Sequence, residues 1–498
     1  MAQANQKRSI VAIVTMFFIF AMISFVTNMA APFGNIWGFK YEWAGMAGNL
    51  MNFTAYLFMG IPAGNMLIKY GYKKTALIAL AVGAIGLGIQ LLSSVAGGGV
   101  EVIGGENPVY LNLFIYLLGA LVCGFCVCML NTVVNPMLNL LGGGGNKGNQ
   151  LVQAGGTLNS LSGTLTPLLV GMLVGTLTKE TTMAAVSPLV ITGIVIFVLA
   201  FIIISFIKIQ EPQANLKNVK YEHSPLAFRH CLLGVIAIFF YVGIEIGIPG
   251  ELNAWISRQN FEGAAAVAGS LAALYWLMML IGRFLSTIIS GKVSTRAQMV
   301  TVSSVAIILI LCAIFIPKSN AFEVPTIIYD PVEKTSNMLA TVNIPEDKIE
   351  AFVQNPNEEI LKDYSDRIKN EYDMEPAQIV KQITTIPNVP ISTIFLFLCG
   401  LCTSVMWGGI FNLATEGLGK YTAKASGLFM MMVVGGGIMP FLQDWIARSL
   451  GGGTLGYINS YWLVVLMLGY ILYYSVVGSK NVNKDIPVDE EPFDLRDL

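Results

Sequence analysis

The chain has 498 residues, of which 55% are hydrophobic and 12% are charged, and its formal net charge is −1. A soluble protein of this length needs more polar surface than this composition provides, so the composition indicates a membrane protein. The chain also lacks a basic stripe in any polar segment, which excludes nucleic acid as an expected partner.

Apolar runs long enough to span a bilayer occur along nearly the whole chain. A spanning helix needs about 20 mostly apolar residues, and about twelve runs meet that requirement. We number them as spans one to twelve; they cover residues 10–32, 46–68, 75–96, 109–141, 151–175, 187–208, 228–250, 265–287, 298–317, 391–415, 426–448 and 458–478. Span one is longer than the apolar core of a signal peptide, so we expect it to be retained.

Lysine and arginine residues concentrate on one side of the membrane if the spans alternate in direction. The segments on this basic side are Lys7–Arg8, Lys69–Lys74, Lys208–Arg229, Lys292–Arg296 and Lys420–Lys424. The other, acidic side carries residues 318–390, with 13 acids and 7 bases. Because positive charge marks the cytoplasmic side, we expect a multi-pass protein of the cytoplasmic (inner) membrane with both termini in the cytoplasm.

The order of the spans predicts two six-helix halves. Residues 1–208 form the first half, 209–227 a cytoplasmic linker and 228–478 the second half, which is interrupted by an insertion at 318–390; residues 479–498 form a cytoplasmic tail. The segment Gly60–Ile78 after span two is echoed by Leu280–Val300 after span eight. Such internal symmetry is typical of transporters whose site lies at midplane between two parallel halves.

Cysteines and catalytic motifs give no sign of an enzyme. The seven cysteines all lie in or at the edge of spans, so we expect no disulfide framework, and the two CxxC pairs have no histidine nearby to suggest a metal. No HExxH, GxSxG or Walker-type sequence is present. We therefore expect neither an enzyme nor a metal site.

Four segments resemble a known family. They read PAGNMLIKYGYKKT, LLGVIAIFFYVGIEIGI, ALYWLMMLIGRF and SGLFMMMVVGGGIMPFLQ. Together they are similar to the fucose permease-like sugar transporters of the major facilitator superfamily, over nearly all spans but not over residues 318–390. The resemblance implies an all-α membrane protein with twelve transmembrane helices in two pseudo-symmetric halves, which moves a monosaccharide by alternating access. The rival hypothesis is a non-transporting sensor or scaffold on the same fold.

Two positions depart from the family in a way that bears on energy coupling. Asn28 and Asn131 stand where the family usually places an aspartate and a glutamate. The resemblance implies that these two acidic residues take part in proton coupling and sugar binding in the family. An amide cannot exchange a proton at physiological pH. Transport by the usual acidic pair is therefore not expected, and facilitated diffusion, sodium symport and proton symport remain open.

Amide side chains in two spans are candidates for sugar binding. Asn131, Asn135 and Asn139 follow one another at four-residue intervals, so they share one face of span four and offer donors and acceptors to a polyhydroxylated ligand. The alternative is that they join neighbouring helices, most clearly for Asn139 near the cytoplasmic end. Span five adds Gln153 and Asn159, whereas Gly156 replaces a glutamine of the family.

One carboxylate stands out deep in span seven. Glu245 has no cationic partner evident in the sequence, and because an ionised carboxylate is unfavourable in hydrocarbon we expect it to couple transport to sodium or to a proton. The alternative is that it braces span seven. Arg283 lies near the cytoplasmic end of span eight, and we assign it to the gating loops together with Gly64, Lys73 and Lys74.

Aromatic residues complete the predicted sugar site. Tyr241, Tyr275, Trp276 and Trp407 lie at central depth, and rings of this kind pack against the C–H faces of pyranoses. Tyr275 and Trp276 point about 100° apart on a helix, so we expect only one of them to face the cavity.

The insertion and the tail are polar. Pro345-Glu346-Asp347 is a helix-start signal, and residues 357–372 are compatible with an exposed helix. We expect the insertion to be a solvated periplasmic segment without a transport role, with a lid or docking function as the alternative. The expected partners are a small-molecule sugar and membrane lipid, the expected state is a monomer, and no cofactor is expected beyond a coupling cation.

Overall fold

The structure is a computed structural model. It describes residues 2–41, 44, 47–105, 108–143, 145–174, 183–184, 186–207, 223–257, 259, 264–326, 330–483, 485–486 and 488. Within the helices, the side chains at 2–9, 28–32, 34–36, 38–39, 49, 163–164, 166–174, 257 and 264–266 lie outside the described part.

The first half consists of long helices and one short hairpin. Its elements are α1 (Ala2–Lys40), α2 (Ala47–Leu92), β1 (Glu101–Ile103), β2 (Val109–Tyr110), α3 (Leu111–Leu141), α4 (Gly145–Val174) and α5 (Ser187–Phe206). Spans two and three both lie in α2, which bends at Gly71 (φ 81°, ψ 175°). A side chain would be strained at this φ, so the glycine allows a sharp bend where the sequence predicts a loop.

The second half begins with three helices, and the insertion follows the third. These helices are α6 (Arg229–Ser257), α7 (Ala264–Ile289) and α8 (Thr295–Phe315). Lys318 caps the end of α8 by donating to the carbonyls of Ala313, Ile314 and Ile316. Burial in this position lowers the pKa of Lys318.

The insertion folds as a small helical unit with its own core. Its elements are β3 (Ala321–Glu323), α9 (Pro331–Thr341), α10 (Glu346–Gln354), α11 (Glu358–Leu361), α12 (Ser365–Tyr372), α13 (Pro376–Thr384) and β4 (Asn388–Pro390). The predicted start at Pro345-Glu346 is confirmed by α10. The stretch at 357–372, which is compatible with an exposed helix, is helical from Glu358 to Tyr372, with a 3-10 turn at Lys362–Tyr364 between α11 and α12. Only Leu361 and Ile368 of these segments are buried, and they join the core of the insertion.

Four helices after the insertion complete the second half. They are α14 (Ser392–Thr415), α15 (Thr422–Met432), α16 (Gly435–Ser449) and α17 (Gly453–Tyr473), whose last turn continues as a π-helix at Tyr474–Gly478. Span eleven is broken between α15 and α16, where three consecutive glycines weaken the helix. A Cβ on Gly435 would clash with the Phe239 carbonyl oxygen, so the break also permits close packing on α6.

The apolar helices agree with the predicted spans. Ten stretches of the described chain are long and apolar enough to cross a membrane. One of them, the 43-residue stretch Leu50–Leu92, holds spans two and three, and α4 holds span five. Apart from a few residues at their ends and the break in span eleven, the predicted spans are thus helical wherever the chain is described. All seven cysteines are free thiols.

The two halves touch most closely where α2 crosses α15. A Cβ on Gly427 would lie 2.6 Å from the Gly60 carbonyl oxygen, and a Cβ on Gly64 would lie 3.0 Å from the Gly427 Cα. Small residues at such a crossing let two membrane helices pack backbone to backbone. Gly64 therefore lies inside α2 at the contact between the halves, and its gating role stays a prediction.

Candidate functional site

Three amides follow one another at four-residue intervals on α3, and two of them, Asn135 and Asn139, bond to α14 of the second half. Asn135 is fully buried, and its Oδ1 accepts a hydrogen bond from Trp407 Nε1 of α14 at 2.9 Å. Its own Nδ2 donates to the Asn131 carbonyl oxygen at 2.9 Å. Asn131 Nδ2 donates to the Tyr56 hydroxyl of α2 at 2.9 Å. The amide stripe therefore forms one chain of hydrogen bonds from α2 to α14.

Asn139 lies at the end of this stripe that is nearer the basic side. Its Nδ2 donates to Thr415 Oγ1 of α14 at 3.4 Å, and its Oδ1 is buried without a hydrogen-bond partner. The Oδ1 also packs against Gly148, where a Cβ would clash with it. Asn139 thus joins the two halves, as the alternative interpretation of this residue expects.

Glu245 forms an ion pair across two helices of the second half. Its Oε1 lies 3.3 Å from Arg283 Nη2 of α7, and the two side chains are only 14% and 10% exposed. Arg283 is therefore the cationic partner of Glu245 that the sequence did not make evident. Arg283 lies near the C-terminal end of α7, as its place in span eight predicts. Because long side chains lean toward the N-terminus of their helix, its guanidinium is carried away from the basic side. The gating role assigned to Arg283 stays a prediction.

Arg283 also binds the first half. Its Nη1 donates to the Gly156 carbonyl oxygen at 3.1 Å, to Ser160 Oγ at 2.8 Å and to Asn159 Oδ1 at 3.4 Å. A Cβ on Gly156 would lie 3.4 Å from Arg283 Cδ. The glycine in place of the family's glutamine therefore leaves the space that the arginine occupies.

Helix α1 supports the charged pair through its backbone. Asn159 Nδ2 donates to the Phe20 carbonyl oxygen at 2.9 Å, and Ser162 Oγ donates to that of Ala21 at 2.8 Å. Asn159 is thus fixed between α1 and Arg283. The side chain of Asn28 lies outside the described residues, so its predicted role stays a prediction.

Gln153 connects the same two halves one turn closer to the basic side. It is 2% exposed, and its Nε2 donates to the Val405 carbonyl oxygen of α14 at 2.9 Å. This bond occupies one of its amide donors. The geometry therefore gives Gln153 a contact between the halves, and its predicted contact with sugar stays a prediction.

The four predicted aromatic residues lie in different environments. The Tyr241 ring is 6.1 Å from that of Trp407, beside the amide stripe. Tyr275 is fully buried, with its hydroxyl 2.8 Å from Thr403 Oγ1 inside the second half. Trp276 is 38% exposed and precedes Arg283 by seven residues, so it shares the face of α7 that carries the arginine. Of the adjacent pair, Trp276 is therefore the candidate for the side that faces the first half, and its contact with sugar stays a prediction.

The predicted gating lysine Lys73 makes a local contact. Its Nζ donates to the carbonyl oxygens of Ser205 at 2.8 Å and Ile207 at 2.7 Å, and so caps the end of α5. This contact lies within the first half, as α2 and α5 both belong to it. The structure gives Lys73 a helix-capping contact, and the gating role of Lys74 stays a prediction.

Hydrogen bonds between the halves cluster toward the basic side. Besides those of Asn139 and Gln153, Asn149 Nδ2 donates to Ser290 Oγ at 3.2 Å and Gln150 Nε2 to the Thr287 carbonyl oxygen at 3.0 Å. Asn146 Oδ1 accepts from the Thr295 amide at 3.2 Å. The halves are therefore held together between the charged pair and the basic side. This arrangement favours access to the site from the acidic side.

The sequence does not predict several residues that complete the site. Tyr56 and Ser160 complete the two hydrogen-bond chains, yet nothing in their local sequence distinguishes them from other polar residues in spans. Glu251, a second carboxyl group of α6, is only 4% exposed. Its position six residues after Glu245, within the same helix, is a signal that the sequence did contain.

Comparison with known proteins places this geometry in a family. The model of the Major Facilitator Superfamily matches residues 11–329. A glucose/galactose transporter of Brucella abortus is 24% identical over 489 residues, covering 96% of each chain. A putative glucose/galactose transporter of Helicobacter pylori is 23% identical over 492 residues, covering 96% of this chain and 99% of the relative.

Solved structures share the fold. A single-residue variant of the E. coli fucose:proton symporter FucP superposes with a TM-score of 0.67 at 16% identity, covering 94% of this chain and 98% of the other. FucP in the outward conformation gives 0.64 at 16% identity, with 94% and 100% covered. The proton:xylose symporter XylE gives 0.57 at 10% identity, with 94% and 95% covered.

These matches confirm the resemblance to fucose permease-like transporters, the twelve-helix fold and the prediction that the protein is not an enzyme. The family model covers well over half of the sequence. The chain belongs to the Major Facilitator Superfamily.

Proposed function

We propose that the protein is a secondary transporter that moves a neutral hexose across the cytoplasmic membrane by alternating access. The named relatives support this, since they are transporters of glucose and galactose that match over nearly the whole chain. They also disfavour the rival hypothesis of a sensor or scaffold. The observation that carries the proposal is the bond from Trp407 to Asn135, which joins a ring and an amide across the halves.

The chemistry of the site suits an uncharged sugar. Asn131 and Asn135 offer amide groups, and Trp407 and Trp276 offer rings, which together match the hydroxyls and C–H faces of a pyranose. The charges of Glu245 and Arg283 compensate each other. A sugar acid or sugar phosphate would bring an unmatched charge into this space, so such substrates are expected to be excluded.

Charge distribution supports the orientation. The basic segments would lie in the cytoplasm, with both termini, and the insertion would lie in the periplasm. Contacts on the basic side then correspond to a state open toward the periplasm. The protein would work as a monomer in contact with membrane lipid.

Energy coupling is proposed to run through Glu245 and Arg283. Arg283 must leave its acceptors on α4 when the halves separate on the basic side. The charge and contacts of Glu245 determine how readily the arginine leaves, because the carboxylate is its compensating partner. Direct coordination of sodium by Glu245 is disfavoured, since the guanidinium 3.3 Å away repels a second cation.

Counterflow in proteoliposomes tests the transport proposal. Purified protein should exchange labelled glucose or galactose against an internal pool of the same sugar, and should not exchange glucuronate. Exchange of glucuronate at a rate similar to that of glucose would contradict the proposed neutral specificity. If the protein exchanged no hexose, pentose or amino sugar, the result would favour the hypothesis of a non-transporting sensor or scaffold.

Imposed ion gradients test the coupling proposal. The parent should accumulate sugar under a sodium or proton gradient, whereas Glu245→Gln should retain counterflow and lose accumulation. Accumulation that persists in Glu245→Gln would remove this residue from coupling. No accumulation under either gradient in the parent would leave facilitated diffusion as the mechanism.

A further inference from the structure

An apolar groove lies between the two halves where α2 of the first half faces α16 of the second. Its lining residues include Leu50, Phe53 and Thr54 of α2 and Gly437, Ile438 and Phe441 of α16. The volume of the groove is about 270 Å³. Leu50, Ile438 and Phe441 are exposed, so the groove is open along one side. We call it the α2–α16 groove.

The lining of the groove does not suit a sugar. Among the described lining residues, Thr54 alone has a polar side chain, and its Oγ1 donates to the Leu50 carbonyl oxygen of its own helix at 2.8 Å. The volume also lies just below the range of about 300–1,000 Å³ that is usual for small-molecule pockets. The groove therefore suits one apolar chain of a larger molecule.

The groove is open because no side chain fills it between the helices. Nearer the basic side, the halves pack backbone to backbone at Gly60 of α2 and Gly427 of α15. Toward the acidic side, a Cβ on Gly437 would meet the Phe53 Cβ at 3.6 Å, which is an ordinary contact. Close packing therefore does not require a glycine at position 437, and its missing side chain leaves the volume open.

One face of α16 continues the groove toward the acidic side. At about 100° per residue, four positions lie within an arc of about 80° on this helix, namely Gly437, Phe441, Trp445 and Arg448. Gly437 and Arg448 are eleven residues apart, which is about 16 Å along a helix. One leaflet contributes about 15 Å to a hydrocarbon core of about 30 Å. The length of this face therefore matches the depth of one leaflet.

The end of this face has the features of a membrane interface. Trp445 is 60% exposed, and tryptophan is enriched at the level of lipid headgroups. Arg448 Nη2 lies 2.7 Å from Asp444 Oδ2, so the two charges compensate each other. A guanidinium has five N–H donors and can bind a phosphate while it stays paired with a carboxylate. A headgroup with one phosphate and one ammonium group therefore complements this pair, whereas an anionic headgroup leaves the carboxylate facing a second negative charge.

We propose that a phospholipid with a zwitterionic phosphoethanolamine headgroup binds here from the leaflet on the acidic side. One acyl chain occupies the α2–α16 groove, the phosphate binds Arg448 and the ammonium group binds Asp444. Because hydrocarbon surrounds the groove, the chain gains packing contacts rather than hydrophobic burial. The headgroup contacts therefore determine which lipid is bound.

Native mass spectrometry of the purified protein in detergent measures the binding directly. The probe is palmitoyl-oleoyl phosphatidylethanolamine, titrated into delipidated protein without sugar. The parent should bind one lipid at a half-saturating concentration at least about fivefold below that for phosphatidylglycerol with the same chains, since the anionic lipid loses a charge-assisted hydrogen bond. Arg448→Gln should raise the half-saturating concentration of phosphatidylethanolamine by a similar factor.

Two variants test the position of the acyl chain. Gly437→Leu fills the groove and keeps the headgroup contacts, so it should raise the half-saturating concentration at least about fivefold through lost packing. Gly469→Leu on α17, where a Cβ meets open space, is the matched control and should bind lipid as the parent does. Phe441→Ala removes an exposed wall of the groove and should weaken binding as well. Its control is Leu466→Ala, since Leu466 is similarly exposed on α17.

Three results would overturn the proposal. The first is equal lipid binding by the parent, Gly437→Leu and Phe441→Ala. The second is binding of phosphatidylglycerol as tightly as phosphatidylethanolamine. The third is a dimer of the parent that Gly437→Leu dissociates, because it would assign the groove to a second copy of the chain. None of these results involves sugar, so the lipid site and the proposed transport function are tested separately.

Discussion

The pair of Glu245 and Arg283 should be strongly coupled in energy. Two unit charges 3.3 Å apart attract by about 5 kcal/mol at an effective dielectric constant of about 20, before desolvation is counted. Removing one partner of a buried pair leaves the other charge uncompensated and is expected to destabilise the protein by about 3–5 kcal/mol. Glu245→Gln and Arg283→Gln should each show such a loss.

The double variant tests the reasoning. Because it leaves no buried charge, its loss in unfolding free energy should be smaller than the sum of the single losses by about 2 kcal/mol or more. The assay is reversible unfolding in mixed micelles of dodecyl maltoside and SDS. Asp444 and Arg448 are the control pair, since they are 27% and 62% exposed and should couple by at most about 0.5 kcal/mol. Additivity within about 0.5 kcal/mol for Glu245 and Arg283 would refute the proposed pairing.

Four further outcomes can be measured on the same protein. Trp407→Phe keeps a ring but loses the donor to Asn135, so the half-saturating sugar concentration in counterflow should rise about fivefold for a lost bond of about 1 kcal/mol, whereas the exposed Trp462→Phe should change nothing. Gly427→Ala should slow counterflow about tenfold because its Cβ meets the Gly60 carbonyl oxygen at 2.6 Å; Gly469→Ala, which meets open space, is the control, and equal rates would contradict the proposed helix contact. Replacing residues 324–387 by a short Gly-Ser linker should leave the half-saturating sugar concentration within about twofold, because loop length adds little free energy; a larger change would give the insertion a role in transport. In a cysteine-free background, Asn337→Cys should label from outside the cell and His223→Cys only after the membrane is permeabilised; the reverse pattern would invert the topology.

The sequence predicts well whatever depends on local pattern. Apolar length predicts the spans, and four-residue spacing predicts that Asn131, Asn135 and Asn139 share a face. Gly71 and Gly156 are visible as glycines, but only the structure shows that one bends α2 and the other accommodates Arg283. The positions of the helices were thus predictable from the sequence, whereas the structural roles of individual glycines were not.

The contacts that the sequence does not predict are those between side chains on different helices. Arg283 looked peripheral because its Cα is near the end of span eight, yet its side chain reaches the carboxylate of Glu245 on another helix. Tyr56 lies 75 positions before Asn131, its hydrogen-bond partner. Contacts of this kind depend on how helices cross and on side-chain length, and neither quantity is written in a local pattern.

The antiparallel pair of strands β3 and β4 at the base of the insertion has a practical consequence. β3 pairs with β4 in register from Ala321 opposite Pro390 to Glu323 opposite Asn388, so the insertion leaves and rejoins the C-terminal half at a single point between α8 and α14. A compact body with its own core on such a short stem would move with that half alone. An antibody fragment raised against α9 to α13 could therefore serve as a marker for particle alignment in electron microscopy, and its tilt against the first half would report each step of the transport cycle without touching the sugar path.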